Sequence, residues 1–260
     1  MSDESTKTTK KKKSRSFLYA DLPYGPKEAF RRLRSNVICS FEDDACHIVG
    51  LTSALASEGK SLISINLASS LAEIGKKVIL LDGDVYRPSI HKTLNVTSDM
   101  GIAQLLNSDS SLSVAVHKFP VGENSFFDFV ATGEVPDNPS QVLNSQNLLR
   151  LLEKLREVYD YVIVDMPPIG SVSDVAAFSR LTDGMLVAVH EEHTPKALLR
   201  ECVDQLRFTK TNILAFVMNG SLSGGGSGYS YSYGGRYGRY ARYGRYGKKY
   251  KNGYGYGYYY

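Results

Sequence analysis

The chain has 260 residues, 42% of them hydrophobic, and a formal charge of +4. That length allows one or two domains, and no apolar run approaches the roughly 18 residues that a bilayer span requires, which argues against a membrane-embedded protein. The charge is divided: residues 1–16 hold six Lys/Arg against two acids, residues 221–260 hold seven against none, and the stretch between holds 18 basic and 25 acidic residues.

Neither terminal arm offers enough apolar surface to offset the entropy of ordering it, so both are expected to be disordered. Residues 17–220 then form one well-cored domain. Two cationic arms beside an acidic body suit contact with anionic lipid, polyphosphate or the body of a neighbouring copy. Cys39, Cys46 and Cys202 follow no metal spacing and are expected to be reduced core thiols of a cytosolic protein. The basic start runs into "FLYADLPYGP" rather than an apolar leader segment.

In chain order, 26–40 reads as a helix opened by Pro26, 47–52 (HIVGLT) as a strand, and 60–74 as a helix closed by Gly75. Strand 77–81, a helix near 101–106, strands near 113–117 and 126–131 and a long helix near 139–158 follow. Strand 161–164, helix 172–181, strand 184–189, helix 195–208 and strand 213–218 complete the pattern. Apolar strands alternating with amphipathic helices predict an α/β fold: a mostly parallel sheet with helices on both faces. Ligands of such sheets bind beyond the carboxyl ends of the strands.

Those ends carry chemistry. The first strand runs into "TSALASEGKS", where backbone N–H groups can wrap phosphates, Lys60 can offset their charge and Ser61 can hold Mg²⁺. The usual first glycine of such a loop is replaced by Ala54. The second strand ends "VILLDGDVYRP", placing Asp82 and Asp84 at the same edge, although Asp-Gly is also an ordinary turn. "YVIVDMPP" places Asp165 likewise, where an acid orients Mg²⁺ and its waters in phosphate-loop enzymes. The set predicts binding of a nucleoside triphosphate.

Together "SxxxxEGKS", "VILLDGDxxRP" and "YVIVDMPP" resemble the bacterial tyrosine kinases of capsule and exopolysaccharide operons, whose fold is related to the MinD/ParA P-loop ATPases. "EAFRRLRSN" (28–36), "GIAQLLN" (101–107), "ATGEVPDNPSQVL" (131–143) and "FVMNG" (216–220) extend the resemblance over residues 17–220. It implies ATP and Mg²⁺ as cofactors. It gives nucleotide contacts to Ser57, Glu58, Gly59, Lys60, Ser61 and Leu62, with Lys60 on the β/γ-phosphates. Asp82 and Asp84 would share the metal-water and substrate-activating roles, Asp165 the metal's outer sphere, and Asn219 would read adenine if it is not a plain turn residue. Two departures stand out: Ala56 and Ser57 replace the family's proline and glycine, and Tyr86 takes the usual basic position, with Arg87 one place later.

Glu28, Arg31 and Arg34 fall on one helical stripe, which composition alone reads as a solvated face. The resemblance implies instead the interface of a ring-shaped homo-oligomer. It also implies a membrane adaptor of the polysaccharide co-polymerase type, a cognate phosphotyrosine phosphatase, protein tyrosine substrates, and recruitment from the cytoplasm to the inner membrane face.

Thirteen of the eighteen tyrosines lie between Tyr229 and Tyr260, in a stretch without an acidic residue. Its Arg-Tyr-Gly repeats would suit single-stranded nucleic acid on composition alone. The resemblance makes nucleic acid the weaker reading, because the related kinases phosphorylate a C-terminal tyrosine cluster on themselves. The expected acceptors are Tyr250, Tyr254, Tyr256, Tyr258, Tyr259 and Tyr260. A MinD/ParA-like ATPase switch that phosphorylates nothing is the remaining alternative.

Overall fold

The computed structural model describes residues 17–220, apart from 98, 108–111, 136, 141–145 and 173. The basic arm and the tyrosine tail, with the six acceptors named above, lie outside the described residues.

Helix α1 (Tyr24–Cys39) leads into β1 (His47–Ser53), α2 (Lys60–Glu73) and β2 (Val78–Asp82). Two short helices, α3 (Ile90–Leu94) and α4 (Ile102–Asn107), precede the hairpin of β3 (Val116–Pro120) and β4 (Phe126–Val130). Then come α5 (Gln146–Arg156), β5 (Tyr161–Asp165), α6 (Asp174–Phe178), β6 (Gly184–His190), α7 (Lys196–Phe208) and β7 (Ile213–Asn219). The seven strands form one sheet in the order β3-β4-β2-β5-β1-β6-β7. All neighbours are parallel except the edge pair β3 and β4. No helix among the described residues is long and apolar enough to cross a membrane.

Alternate side chains of the central strands feed two cores. On one face Val49, Leu51, Leu80 and Ile163 pack with α1 and α2 through Leu33, Val37, Leu67 and Leu71. On the other, Ile48, Ile79, Val162 and Val187 meet α5 and α7 through Leu152, Leu155, Cys202 and Leu206. Burial on both faces is why β1, β2 and β5 read as unbroken apolar runs.

Three expectations need correction, and one helix was not expected. The strand near 113–117 is displaced: Leu112–Val114 is a turn of 3₁₀ helix and β3 begins at Val116. The expected helix at 172–181 is divided into α6 and a 3₁₀ turn at Ser179–Leu181, after which Thr182 is extended. Helix α3 was not expected; Asn95, left-handed at φ 55°, ends it after five residues. The three thiols are free but only Cys202 is buried; Cys39 lies exposed at the end of α1 and Cys46 is half-buried.

Candidate active site

Register brings the acids together. Asp82 on β2 pairs with Asp165 on β5, and Asp165 also stands opposite Leu51 on β1. The loop from β1 to α2 closes over these strand ends, so the N-terminus of α2 points at the same place. A cleft of about 660 Å³ opens there. Ser57, Gly59, Lys60, Ser61, Leu62, Asp84, Tyr86, Arg87 and Ser89 are among its walls.

The loop geometry answers for its two departures. Gly59 sits at φ 86°, and a Cβ there would lie 2.0 Å from Asn219 Nδ2. Ser57, at φ 64°, adopts the same left-handed region with a side chain attached. That region costs an L-residue about 1–2 kcal/mol, so the serine holds by strain a turn that glycine adopts freely. At the second departure both Tyr86 and Arg87 line the cleft, and the Arg87 backbone N–H donates to Asp84 Oδ1 at 2.9 Å.

Glu58 is fully buried and braces the loop from beneath. Its carboxylate accepts from Leu55 N–H at 3.0 Å and from the Thr194 hydroxyl. Only its backbone remains for a ligand. Asn219 Nδ2 donates to Glu58 O at 3.1 Å, so the end of β7 is tied to the same loop.

Ser61 Oγ donates to Asp165 Oδ2 at 2.6 Å and lies 3.0 Å from Ser89 Oγ, while Ser64 Oγ reaches Asp165 Oδ1 at 3.2 Å. Burial raises the Asp165 carboxyl above its usual range, against the pull of Ser61 and Lys60. Burial raises Asp82 too, helped by the neighbouring Asp165 charge. Asp82 Oδ2 accepts from Ile90 N–H at 3.2 Å, and its buried Oδ1 has no hydrogen-bond partner among the described residues. An orphaned carboxylate oxygen beside a second buried acid is costly alone and suits a cation or its bound water. Asp84 differs from both in lining the open cleft. Among the described residues no group of three His, Cys, Asp or Glu side chains is arranged to hold a metal by itself. Mg²⁺, which keeps several waters and takes one or two carboxylates plus substrate phosphates, does not require one.

A ParA family model, described as an NUBPL iron-transfer P-loop NTPase, matches residues 45–225. The tyrosine-protein kinase YwqD of Bacillus subtilis is 31% identical over 204 residues, 78% of this chain and 85% of that protein. The chain belongs to the bacterial tyrosine-protein kinases, within the ParA-like P-loop NTPases. The putative tyrosine-protein kinase EpsB of Ralstonia nicotianae is 32% identical over 91% of this chain but only 31% of its own length. The chain thus spans about a third of the curated EpsB relative. The kinase domain of the Escherichia coli tyrosine kinase ETK superposes with a TM-score of 0.76 at 29% identity, covering 86% of this chain and 87% of that one.

In this member of the bacterial tyrosine kinases the α1 stripe is engaged within its own chain. Arg31 Nη2 lies 3.2 Å from Glu73 Oε1, and Arg34 Nη1 is 3.2 Å from Glu73 Oε2 and 2.6 Å from Ser70 O. Tyr19 Oη donates to Glu73 Oε2 at 2.7 Å, and Lys27 stands 3.8 Å from Oε1. Glu28 meets Arg31 at 3.8 Å. Sequence reasoning missed Glu73 as the hub, Ser64 and Ser89 as partners within the acid cluster, and Thr194 as the brace of Glu58. Only Ser64 had a signal, three residues from Ser61 on one helix and so on the same face.

Proposed function

We propose that the protein is an ATP-dependent protein-tyrosine kinase that phosphorylates the tyrosine cluster at the C-terminus of a neighbouring copy. One observation carries the reading: Lys60, Ser61 and Asp84 line one cleft, Ser61 is bonded to the buried Asp165 that pairs with Asp82, and the same chain carries thirteen closely spaced tyrosines between Tyr229 and Tyr260.

The loop N–H groups and Lys60 bind the phosphates, and Ser61, held by Asp165 and Ser89, presents its oxygen to a metal ion. Ser61, with Asp82, Asp84 and Asp165 behind it, would hold Mg²⁺, which would supply charge neutralisation for the transferred phosphoryl group. A tyrosine phenol, with pKa near 10, arrives protonated. Its oxygen attacks the γ-phosphorus in line, the bond to the β,γ-bridging oxygen breaks, ADP leaves, and Asp84 takes the phenolic proton. Asp84 suits that role because it faces the cleft, whereas Asp82 and Asp165 lie beneath it.

The reading extends to exopolysaccharide or capsule synthesis and export as the regulated process. It also includes a ring of copies joined through Glu28, Arg31 and Arg34, a membrane adaptor that recruits the chain from the cytoplasm, and a phosphatase that resets it. Labelled ATP tests the core of it. Wild-type protein with Mg²⁺ should acquire phosphate on tail tyrosines, and Lys60→Met should lose it while keeping its far-UV circular dichroism. ATP hydrolysis without protein label would favour the MinD/ParA-like switch.

A further inference from the structure

The tyrosines of the folded body have no part in the reading above, and the structure sorts them sharply. Tyr19 is 1% exposed with its hydroxyl on Glu73. Tyr86 and Tyr159 donate to Asp174 and Asp128, each at 2.7 Å, and Tyr161 is buried on β5. Tyr24 alone is free: 79% exposed, its hydroxyl in no hydrogen bond among the described residues.

Its sequence context matches the tail. Tyr-Gly occurs six times between residues 233 and 257, and once elsewhere, at Tyr24-Gly25. Its backbone can open cheaply. Tyr24 is the first residue of α1, after an extended Pro23 (φ −58°, ψ 160°) and before Gly25 and Pro26. Lys27 N–H donates to Pro23 O at 3.0 Å within that turn. Gly25 lowers the helix propensity of this first turn, and helix ends open at the low end of local stability.

We propose that Tyr24 is a phosphoacceptor on the folded body, modified by a second copy of this chain. The inference rests on the kinase reading. A second copy is required because Lys27, one turn on, reaches Glu73 at the end of α2 remote from Lys60, about 20 Å along that 14-residue helix. The chemistry is that of the tail: the Tyr24 phenol oxygen bonds to the γ-phosphorus, the β,γ-bridging bond breaks, ADP departs, and the proton passes to Asp84 of the copy that binds ATP. The product places a charge of about −1.5 to −2 on α1. Tyr24, Glu28 and Arg31 lie at i, i+4 and i+7, so that charge enters the Glu28–Arg31 stripe. It repels Glu28, suits the positive end of the helix dipole, and competes with Glu73 for Lys27.

Trypsin releases Ser16–Lys27, which contains Tyr19 and Tyr24 and no other tyrosine. The full-length protein is incubated with ATP and Mg²⁺ and this peptide is fragmented in a mass spectrometer. Phosphate is expected on Tyr24 and not Tyr19, at an occupancy several-fold below the tail. Tyr24→Phe should clear the peptide of phosphate and leave tail labelling within experimental error of wild type. An unmodified peptide beside a fully labelled tail, or phosphate on Tyr19 instead, overturns this inference and leaves the kinase reading standing. Phosphate on neither peptide nor tail overturns both.

Discussion

Glu73→Gln separates the arginine hub from every other function of the stripe. Burial alone would raise the Glu73 carboxyl, but hydrogen bonds from Tyr19, Arg31 and Arg34 overrule it and hold the group at about 2. Against the ordinary value of 4.5, that difference corresponds to a ceiling of roughly 3.4 kcal/mol at 1.36 kcal/mol per pKa unit. Solvent reaches the side chain, whose relative exposure is 28%, and screening brings the expected contribution to about 1.5 kcal/mol. The sign is fixed by the depressed value. The stabilisation is fully present above pH 4.5 and is lost as pH falls toward 2. With a slope of roughly 2 kcal/mol per molar urea, the variant should unfold about 0.7 M earlier at pH 7. That gap should narrow steadily below pH 4.5. A midpoint shift under about 0.2 M at pH 7, or one undiminished at pH 3, would refute the hub.

Two further variants test the cleft. Ser57→Gly removes left-handed strain of about 1–2 kcal/mol while adding roughly 0.5–1 kcal/mol of unfolded-chain entropy. Calorimetry should therefore show a Tm higher by about 2 °C, and an unchanged or lower Tm would mean the serine is held without strain. Asp84→Asn keeps an acceptor for Arg87 N–H but removes the proton acceptor, so phosphoryl transfer should fall on the order of 100-fold with ADP affinity in metal-free buffer unchanged. Transfer within threefold of wild type would move the proton to another group.

The strand ends were legible because β1, β2 and β5 are buried on both faces. An apolar run stopping abruptly at Asp82 or Asp165 has few other meanings in a parallel sheet. The loop was legible in its residue types but not in its division of labour. Glu58 reads as part of the phosphate cradle, yet its carboxylate turns inward to Leu55 and Thr194, a partner 136 positions away. Glu73 was illegible for the same reason: nothing local to α2 marks the glutamate on which Arg31 and Arg34 converge from another helix. The β3–β4 hairpin escaped in its direction and start, since a strand's apolar pattern carries no sign for parallel or antiparallel pairing.

Both halves of the reading meet on α2. Its first turn supplies Lys60 and Ser61, its second turn sets Ser64 on Asp165, and its last turn offers Ser70 O and Glu73 to the arginines of α1. Ile63, Ile65, Leu67, Ala68, Leu71 and Ala72 are all buried, so the helix is packed along its length against the sheet. A close-packed element of this kind transmits displacement better than it absorbs it. Anything that moves α1 by engaging Arg31 or Arg34 must first release Glu73 or carry it along, and Glu73 is joined to Lys60 by one continuous helix. On the proposed reading, copies that carry phosphate on Tyr24, a minor fraction at the expected occupancy, would place that charge on the helix packed against the one that carries Lys60. Assembly of copies through α1 and occupancy of the cleft would, on the same reading, be coupled through α2.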